Sequence, residues 1–112
     1  MIFITHDLSL AYEVCDRVLV MYAGKIVEEG VIGDVIDKPL HPYTKALLDA
    51  IPRLGAKGVY LRSIPGDPPN LIAPPSGCRF HPRCPYASEI CRIKEPDLKL
   101  LGDERRVACH LY

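Results

Sequence analysis

Two groups of residues in this chain could carry chemistry, and they lie near opposite ends. Four cysteines follow the spacing C-x5-C-x6-C-x17-C in the last third of the sequence: Cys78, Cys84, Cys91 and Cys109. Near the start, His6 comes directly after a short apolar run and Thr5. Clustered cysteines in a cytosolic chain are metal ligands more often than unrelated core thiols. A polar residue at the carboxyl end of a buried strand lies where α/β proteins form their sites.

The cysteine spacing bears on which metal would bind. It lacks the C-x2-C knuckle that is typical of structural zinc sites, whereas a wider iron–sulfur cubane can be held from well-separated loops. We therefore expect a [4Fe-4S] cluster, with zinc as the alternative metal. If no metal binds, the four cysteines would be structural thiols. His81 and His110 could be reserve ligands, but their turn-like contexts favour structural roles. Cys15 is expected to be a separate, buried thiol.

Composition excludes several classes of protein. Fourteen Lys and Arg balance fourteen Asp and Glu over 112 residues, so no charge excess predicts a nucleic-acid partner. No apolar stretch approaches the roughly 20 residues that span a bilayer, and the start lacks the features of a secretion signal. An odd number of cysteines also disfavours a disulfide framework. These features favour a cytoplasmic location.

Apolar periodicity predicts α/β elements in the first part of the chain. The run Ile2-Phe3-Ile4 is typical of a strand buried on both faces, and a helix follows with Leu8, Ala11 and Cys15 on one face. A hairpin is predicted next, with strands at 17–22 and 26–29 around a turn that contains glycine.

Proline and glycine divide the second part into short pieces. A short helix over 31–37 should end before Pro39, and a second helix should begin at Pro42. Residues 53–77 read as proline-stiffened connectors, and one short helix is expected over 86–94. We therefore divide the chain into an α/β core over 1–38 and a loop-rich extension with the cysteines over 39–112.

Specific motifs then indicate a family. The segment from Ile2 through His6-Asp7 to the hairpin ending at Gly30 resembles ABC-transporter ATPases, from their switch histidine to the last hairpin of the core. The run His41-Pro42-Tyr43-Thr44-Lys45 resembles the ATPases of oligopeptide, dipeptide and nickel importers. Their C-terminal extension also resembles Ile64-Pro65-Gly66 and the stretch from Gly77 to Pro85.

The resemblance implies a function for the complete protein. His6 matches the histidine that reaches the γ-phosphate of ATP and helps to order the attacking water. ATP and magnesium would be the cofactors of the complete protein. Its partners would be a second ABC ATPase subunit and two membrane permease subunits, at the inner face of the cell membrane. Some relatives of this type carry a [4Fe-4S] cluster on cysteines at this position, which adds to the expectation for Cys78, Cys84, Cys91 and Cys109.

The chain itself lacks other parts of that machinery. No G-x-x-x-x-G-K-[ST] loop and no LSGGQ-like signature occur in its 112 residues, so it should not hydrolyse ATP alone and is expected to be a C-terminal fragment. Such a fragment would expose apolar surface and could self-associate. The alternative functions are a free-standing zinc or iron–sulfur interaction module and a redox protein that uses its cluster chemically.

Overall fold

The computed structural model describes residues 2–6, 8–49, 71–102 and 104–112. In this part of the chain, helices and strands occur in the following order: α1 (Leu8–Val14), β1 (Arg17–Tyr22), β2 (Lys25–Val31), α2 (Ile32–Asp37), α3 (Pro42–Asp49), a 3-10 helix (His81–Arg83), α4 (Glu89–Ile93), β3 (Lys99–Leu101) and β4 (Arg105–Val107). The predicted α/β class is confirmed.

Strands β1 and β2 form the predicted hairpin. Tyr22 pairs with Lys25 across a two-residue turn in which both Ala23 (φ 51°) and Gly24 (φ 79°) have positive φ. Two positive φ values define the type I′ turn, whose twist matches that of the strands it joins. The register shifts by a bulge between Val20 and Met21. The hairpin thus forms where local turn chemistry predicted it.

Two strands of the extension complete this hairpin. The sheet order is β1-β2-β4-β3, and all three pairings are antiparallel. Val107 in β4 lies opposite Glu28 in β2, and the Ala108 N–H continues the contact by donating to the Val27 carbonyl at 2.9 Å. The sequence predicts a loop-rich extension with one short helix over 86–94 and no strand after it. That expectation was wrong, because three-residue strands carry no periodic signal of their own.

The helices follow their capping and proline signals. Helix α3 begins at Pro42 as predicted, and the preceding His41 accepts a hydrogen bond from the Tyr43 N–H through Nδ1 at 3.0 Å. Helix α2 begins one residue later than predicted, and α4 is shorter than the predicted helix over 86–94. Most of the predicted connector lies outside the described residues, while 71–77 contain neither helix nor strand.

The N-terminal segment departs from its prediction. Ile2 and Ile4 are 90% and 91% exposed, and residues 2–5 form no strand. A strand buried on both faces needs neighbours on each side, and the described part of the chain provides none there. In α1 only Ala11 is buried, and Cys15 is half-buried rather than part of the core.

The apolar core joins the hairpin to the extension. It is formed by Val20, Tyr22, Val27, Val35 and Phe80. Phe80, from the cysteine-containing extension, packs edge-on against Tyr22 with ring centroids 5.1 Å apart. Tyr43 of α3 completes the aromatic contact at 4.6 Å from Tyr22. No helix in the described ranges is long and apolar enough to cross a membrane.

Candidate functional site

Four different local structures position the four cysteines. Cys78 lies in the loop after the proline-rich connector, Cys84 directly after the 3-10 helix, Cys91 within α4, and Cys109 just after β4. The loop and α4 are in direct contact, because the Cys78 N–H donates to the Cys91 carbonyl at 2.7 Å. Glycine precedes Cys78 for a steric reason: a Cβ on Gly77 would lie 2.4 Å from that same carbonyl oxygen.

All four cysteines line one small cavity of about 10 Å³. Cys109 is buried and the other three are half-buried. The Ser88 hydroxyl lies 3.4 Å from the Cys91 sulfur. The structure therefore brings together the four cysteines that the spacing singled out, and it leaves Cys15 out of the group that lines this cavity.

The predicted metal cofactor is not supported. Within residues 2–6, 8–49, 71–102 and 104–112, no group of three or more His, Cys, Asp or Glu side chains is arranged to hold a metal ion. The cavity between the cysteines has about the volume that a single water requires, roughly 10–15 Å³. The expectation of a [4Fe-4S] cluster on Cys78, Cys84, Cys91 and Cys109, with zinc as the alternative, was therefore wrong.

Electrostatics favours the neutral thiols. Burial raises the pKa of Cys78 above its usual range, and repulsion from the neighbouring Cys91, Cys109 and Cys84 adds to the effect. Burial is also the main reason why the pKa values of Cys84 and Cys109 are raised. Because nucleophilic and metal-binding cysteines act as thiolates, the raised pKa values hold Cys78, Cys84 and Cys109 in the less reactive thiol form.

The histidines near the cavity have structural partners. Nδ1 of His81 lies 2.7 Å from the Cys78 carbonyl oxygen, and Nε2 of His110 lies 2.6 Å from the Lys94 carbonyl oxygen. The His81 contact lies within one turn of the backbone, whereas the His110 contact joins the segment after β4 to the end of α4. These contacts fit the structural roles expected for both residues.

His41 is a buried histidine that the sequence analysis did not single out. Its side chain is 1% exposed, and burial lowers its pKa to about 4, against a smaller opposing effect from the Ala108 backbone. Among the described residues, its Nε2 has no hydrogen-bond partner of good geometry. The neutral ring is therefore the form that this fold holds at neutral pH.

Glu28 is a second buried polar residue that we missed. It is fully buried, accepts hydrogen bonds from the His41 N–H at 2.9 Å and the Leu40 N–H at 3.2 Å, and pairs with Arg105 of β4. A signal was available, because adjacent residues of a strand point to opposite faces. Of the neighbouring Glu28 and Glu29, one had to face inwards.

His6 does not belong to the cysteine cluster or to the buried pair Glu28 and His41. It is exposed and forms a bend directly after the extended residues 2–5. No described strand precedes it, so the strand-end setting that motivated its selection is absent here. Its catalytic role remains a prediction.

Comparisons with known proteins place the chain in a family. Residues 27–91 match the family described as the oligopeptide/dipeptide transporter, C-terminal region. The dipeptide transport ATP-binding protein DppD of Caldanaerobacter subterraneus is 49% identical over 112 residues, which are 100% of this chain and 34% of that protein. The oligopeptide transport ATP-binding protein OppD of Salmonella typhimurium is 50% identical over 108 residues, 96% of this chain and 32% of its own length.

A third relative agrees with these two. The OppD protein of Escherichia coli is 54% identical over 95 residues, covering 85% of this chain and 28% of its own length. All three relatives are transport ATP-binding proteins, one for dipeptides and two for oligopeptides. The chain belongs to the oligopeptide/dipeptide transporter C-terminal region family. It spans about a third of the length of these relatives.

Proposed function

We propose that this chain forms the C-terminal part of an ATP-binding subunit that powers peptide uptake by an ABC importer. The observation that carries the proposal is identity of about half of all residues, over the whole chain, to a dipeptide transport ATP-binding protein. The chain as given contains no phosphate-binding loop. ATP binding and hydrolysis therefore belong to the whole protein, with this part supplying the final hairpin and the extension.

We propose that His6 serves hydrolysis in the whole protein. An imidazole can accept a hydrogen bond from the attacking water or donate one to the γ-phosphate. Both hydrogen bonds stabilise the transition state more than they stabilise the enzyme with ATP bound. His6 is exposed in this chain, so its ring is free to face a nucleotide that other segments hold. Its substitution should therefore affect the rate of hydrolysis more than nucleotide affinity.

The working complex would include membrane components. A second ATP-binding subunit and two membrane permease subunits would place the protein in the cytoplasm, on the inner face of the cell membrane. The division into a core over 1–38 and an extension over 39–112 belongs to the same proposal. The rival function of a free-standing metal or redox module has no support from the donor arrangement in the described residues.

The proposal can be tested with a chimera. This chain would replace the aligned segment of the Escherichia coli OppD protein, which is 54% identical over 95 residues, in a strain that lacks its own copy. We expect restored growth on an oligopeptide that supplies a required amino acid. We also expect that His6→Ala slows ATP hydrolysis by the purified chimera at least tenfold and changes ATP affinity by less than about threefold.

A matched control separates chemistry from packing. Glu13 is an exposed residue of the nearby helix α1, and Glu13→Ala should leave hydrolysis unchanged. A folded chimera that supports no peptide uptake would refute the assignment to a peptide importer. Hydrolysis that survives His6→Ala at the full rate would refute the role of His6 while leaving the family intact.

A further inference from the structure

Two of the four clustered cysteines are joined directly through their main chains. All four are free thiols, and the Cys78 N–H donates to the Cys91 carbonyl at 2.7 Å. With standard bond lengths, this hydrogen bond holds the two Cα atoms no more than about 6.6 Å apart. Disulfides span Cα separations of about 4.4–6.8 Å. The main chain at these two positions is therefore already close enough for a disulfide.

The side chains of Cys78 and Cys91 share one space. Both residues line the same cavity of about 10 Å³. Burial is the main cause of the raised pKa of Cys78, and among the neighbouring cysteines Cys91 adds the largest repulsion. This order agrees with the backbone contact, because repulsion between charges weakens with distance. The two sulfur atoms can therefore meet without a large movement of the backbone.

Gly77 permits this close approach. A Cβ at this position would lie 2.4 Å from the Cys91 carbonyl oxygen, and the φ of +70° at Gly77 is one that residues with side chains rarely adopt. The loop before Cys78 and the helix α4 are therefore in tight main-chain contact. The pairing of Cys78 with Cys91 follows from this contact rather than from their separation in sequence.

The other cysteines lack such a link. Among the described residues, no backbone hydrogen bond joins Cys84 or Cys109 to another member of the cluster. Cys109 is also buried, and Cys15 does not line the cavity. The geometry thus singles out one pair among the five cysteines.

Cys91 is the member of this pair with a route to solvent and a polar partner. It is half-buried, whereas its neighbours Ser88, Ile90 and Arg92 are exposed. The Ser88 hydroxyl lies 3.4 Å from the Cys91 sulfur, where it can donate a hydrogen bond to a thiolate. The thiolate is the form of cysteine that attacks a disulfide.

We propose that Cys78 and Cys91 form a thiol–disulfide exchange site for low-molecular-weight disulfides such as oxidised glutathione. The Cys91 thiolate attacks one sulfur of the small disulfide, and one small thiolate leaves. Cys78 then loses its proton and attacks the Cys91 sulfur of the mixed disulfide, and the second small thiolate leaves. The two released thiolates take up the two protons lost by the cysteines. Two protein thiols are thus oxidised to one disulfide, and one small disulfide is reduced to two thiols.

This disulfide would fasten the segment that supplies Phe80 to the core. Phe80 lies within the loop that the bond closes, and it packs against Tyr22 of the hairpin. A cross-link stabilises a fold mainly by restricting the unfolded chain. We expect the oxidised chain to melt at least about 5 °C above the reduced chain.

The experiment is an equilibration of the reduced chain with oxidised and reduced glutathione at about pH 8, near the ordinary pKa of a thiol. Acid stops the exchange, and mass spectrometry maps the disulfides. Trypsin alone leaves Cys84 and Cys91 in one peptide, so a glutamate-specific protease is added to cut after Glu89. We expect the bond between Cys78 and Cys91 to be the most abundant.

The same chain in urea provides the first control. In an unfolded chain, the cost of loop closure favours the shorter loops 78–84 and 84–91. The folded chain should therefore form the bond between Cys78 and Cys91 with an equilibrium constant at least about tenfold larger than the unfolded chain. This comparison uses no variant, so it does not depend on whether a substitution disturbs folding.

Single variants test the two steps. Cys78→Ser should stop the reaction at a glutathione adduct on Cys91, whereas Cys91→Ser should prevent both the adduct at that position and the internal bond. Cys15→Ser is the matched control and should leave the yield of the internal bond unchanged, because Cys15 does not line the cavity. Far-ultraviolet circular dichroism of each reduced variant checks that it remains folded.

Several results would overturn the proposal. These are a different predominant pair in the folded chain, the same distribution of disulfides in buffer and in urea, glutathione adducts without an internal bond, and a reduced yield in Cys15→Ser. A melting temperature that oxidation does not raise would refute the fastening of Phe80. The measurement contains no nucleotide and no permease, so its failure would leave the proposed role in peptide uptake untouched.

Discussion

Removal of the Glu28 carboxylate should destabilise the chain more than removal of any surface charge. Glu28 is fully buried, pairs with Arg105, and accepts hydrogen bonds from the N–H groups of Leu40 and His41. Glu28→Ala leaves the Arg105 guanidinium, 16% exposed, without its counter-charge and two backbone donors without an acceptor. Loss of one partner of a buried pair costs about 3–5 kcal/mol, a large part of the roughly 5–15 kcal/mol typical of a whole domain.

The double variant Glu28→Met with Arg105→Met separates the two contributions. Methionine at both positions removes the unpaired charge, but the Leu40 and His41 N–H groups still lack their acceptor. We therefore expect partial recovery, with a residual cost of about 1–3 kcal/mol from the unsatisfied donors. The coupling energy from the double-mutant cycle should exceed about 1 kcal/mol.

Urea unfolding followed by far-ultraviolet circular dichroism measures each free energy of unfolding. Arg17→Gln is the control, because Arg17 pairs with Glu29 at 3.3 Å but is 43% exposed, and it should cost less than about 1 kcal/mol. If Glu28→Ala and Arg17→Gln cost the same, or if the cycle gives no coupling, the buried contacts of Glu28 with Arg105 and with the Leu40 and His41 N–H groups do not stabilise the fold as argued.

Three further predictions concern single residues. His41 should make stability depend on pH: its pKa is lowered to about 4, so its contribution is complete above the unfolded value of about 6.5 and is lost as the pH falls towards 4. This loss amounts to roughly 3 kcal/mol, and His41→Asn should remove that part of the pH dependence in urea unfolding. Gly77→Ala should lower the melting temperature strongly, because the new Cβ would meet the Cys91 carbonyl at φ +70°, whereas Gly33→Ala, with open space around it, should not. Iodoacetamide at pH 8 should label Cys109 more slowly than Cys15, because Cys109 is buried and its pKa is raised; equal rates by mass spectrometry would contradict this reading.

Local signals were enough to predict the hairpin and the start of α3. The turn at Ala23-Gly24 and the proline at position 42 act on the backbone within a few residues, so their effect can be read from a short window of sequence. Strands β3 and β4 lacked such a signal. They are three residues long, and β4 is defined by its pairing with β2, which is distant in sequence.

The four-cysteine site was also predictable only in part, because the sequence reports the positions of its residues but not the space between them. Spacing and composition indicated that the four cysteines would come together, and they do line one cavity. The identity of a bound group depends on the room between the sulfur atoms and on their protonation, which spacing does not report. The run Ile2-Phe3-Ile4 had a pattern that suits a buried strand, but burial depends on neighbours, and these residues are exposed in the described structure.

The extension is part of the hairpin's fold rather than an appendage. It supplies Phe80 to the core, β4 to the open edge of β2, and Arg105 to the buried Glu28 carboxylate. Each contribution meets a need of the hairpin, because an uncovered edge strand invites association and an uncompensated buried charge is costly. A substitution that loosens the extension should therefore destabilise β2. Through the β1–β2 pairing it should also destabilise β1, which follows the segment that begins at His6.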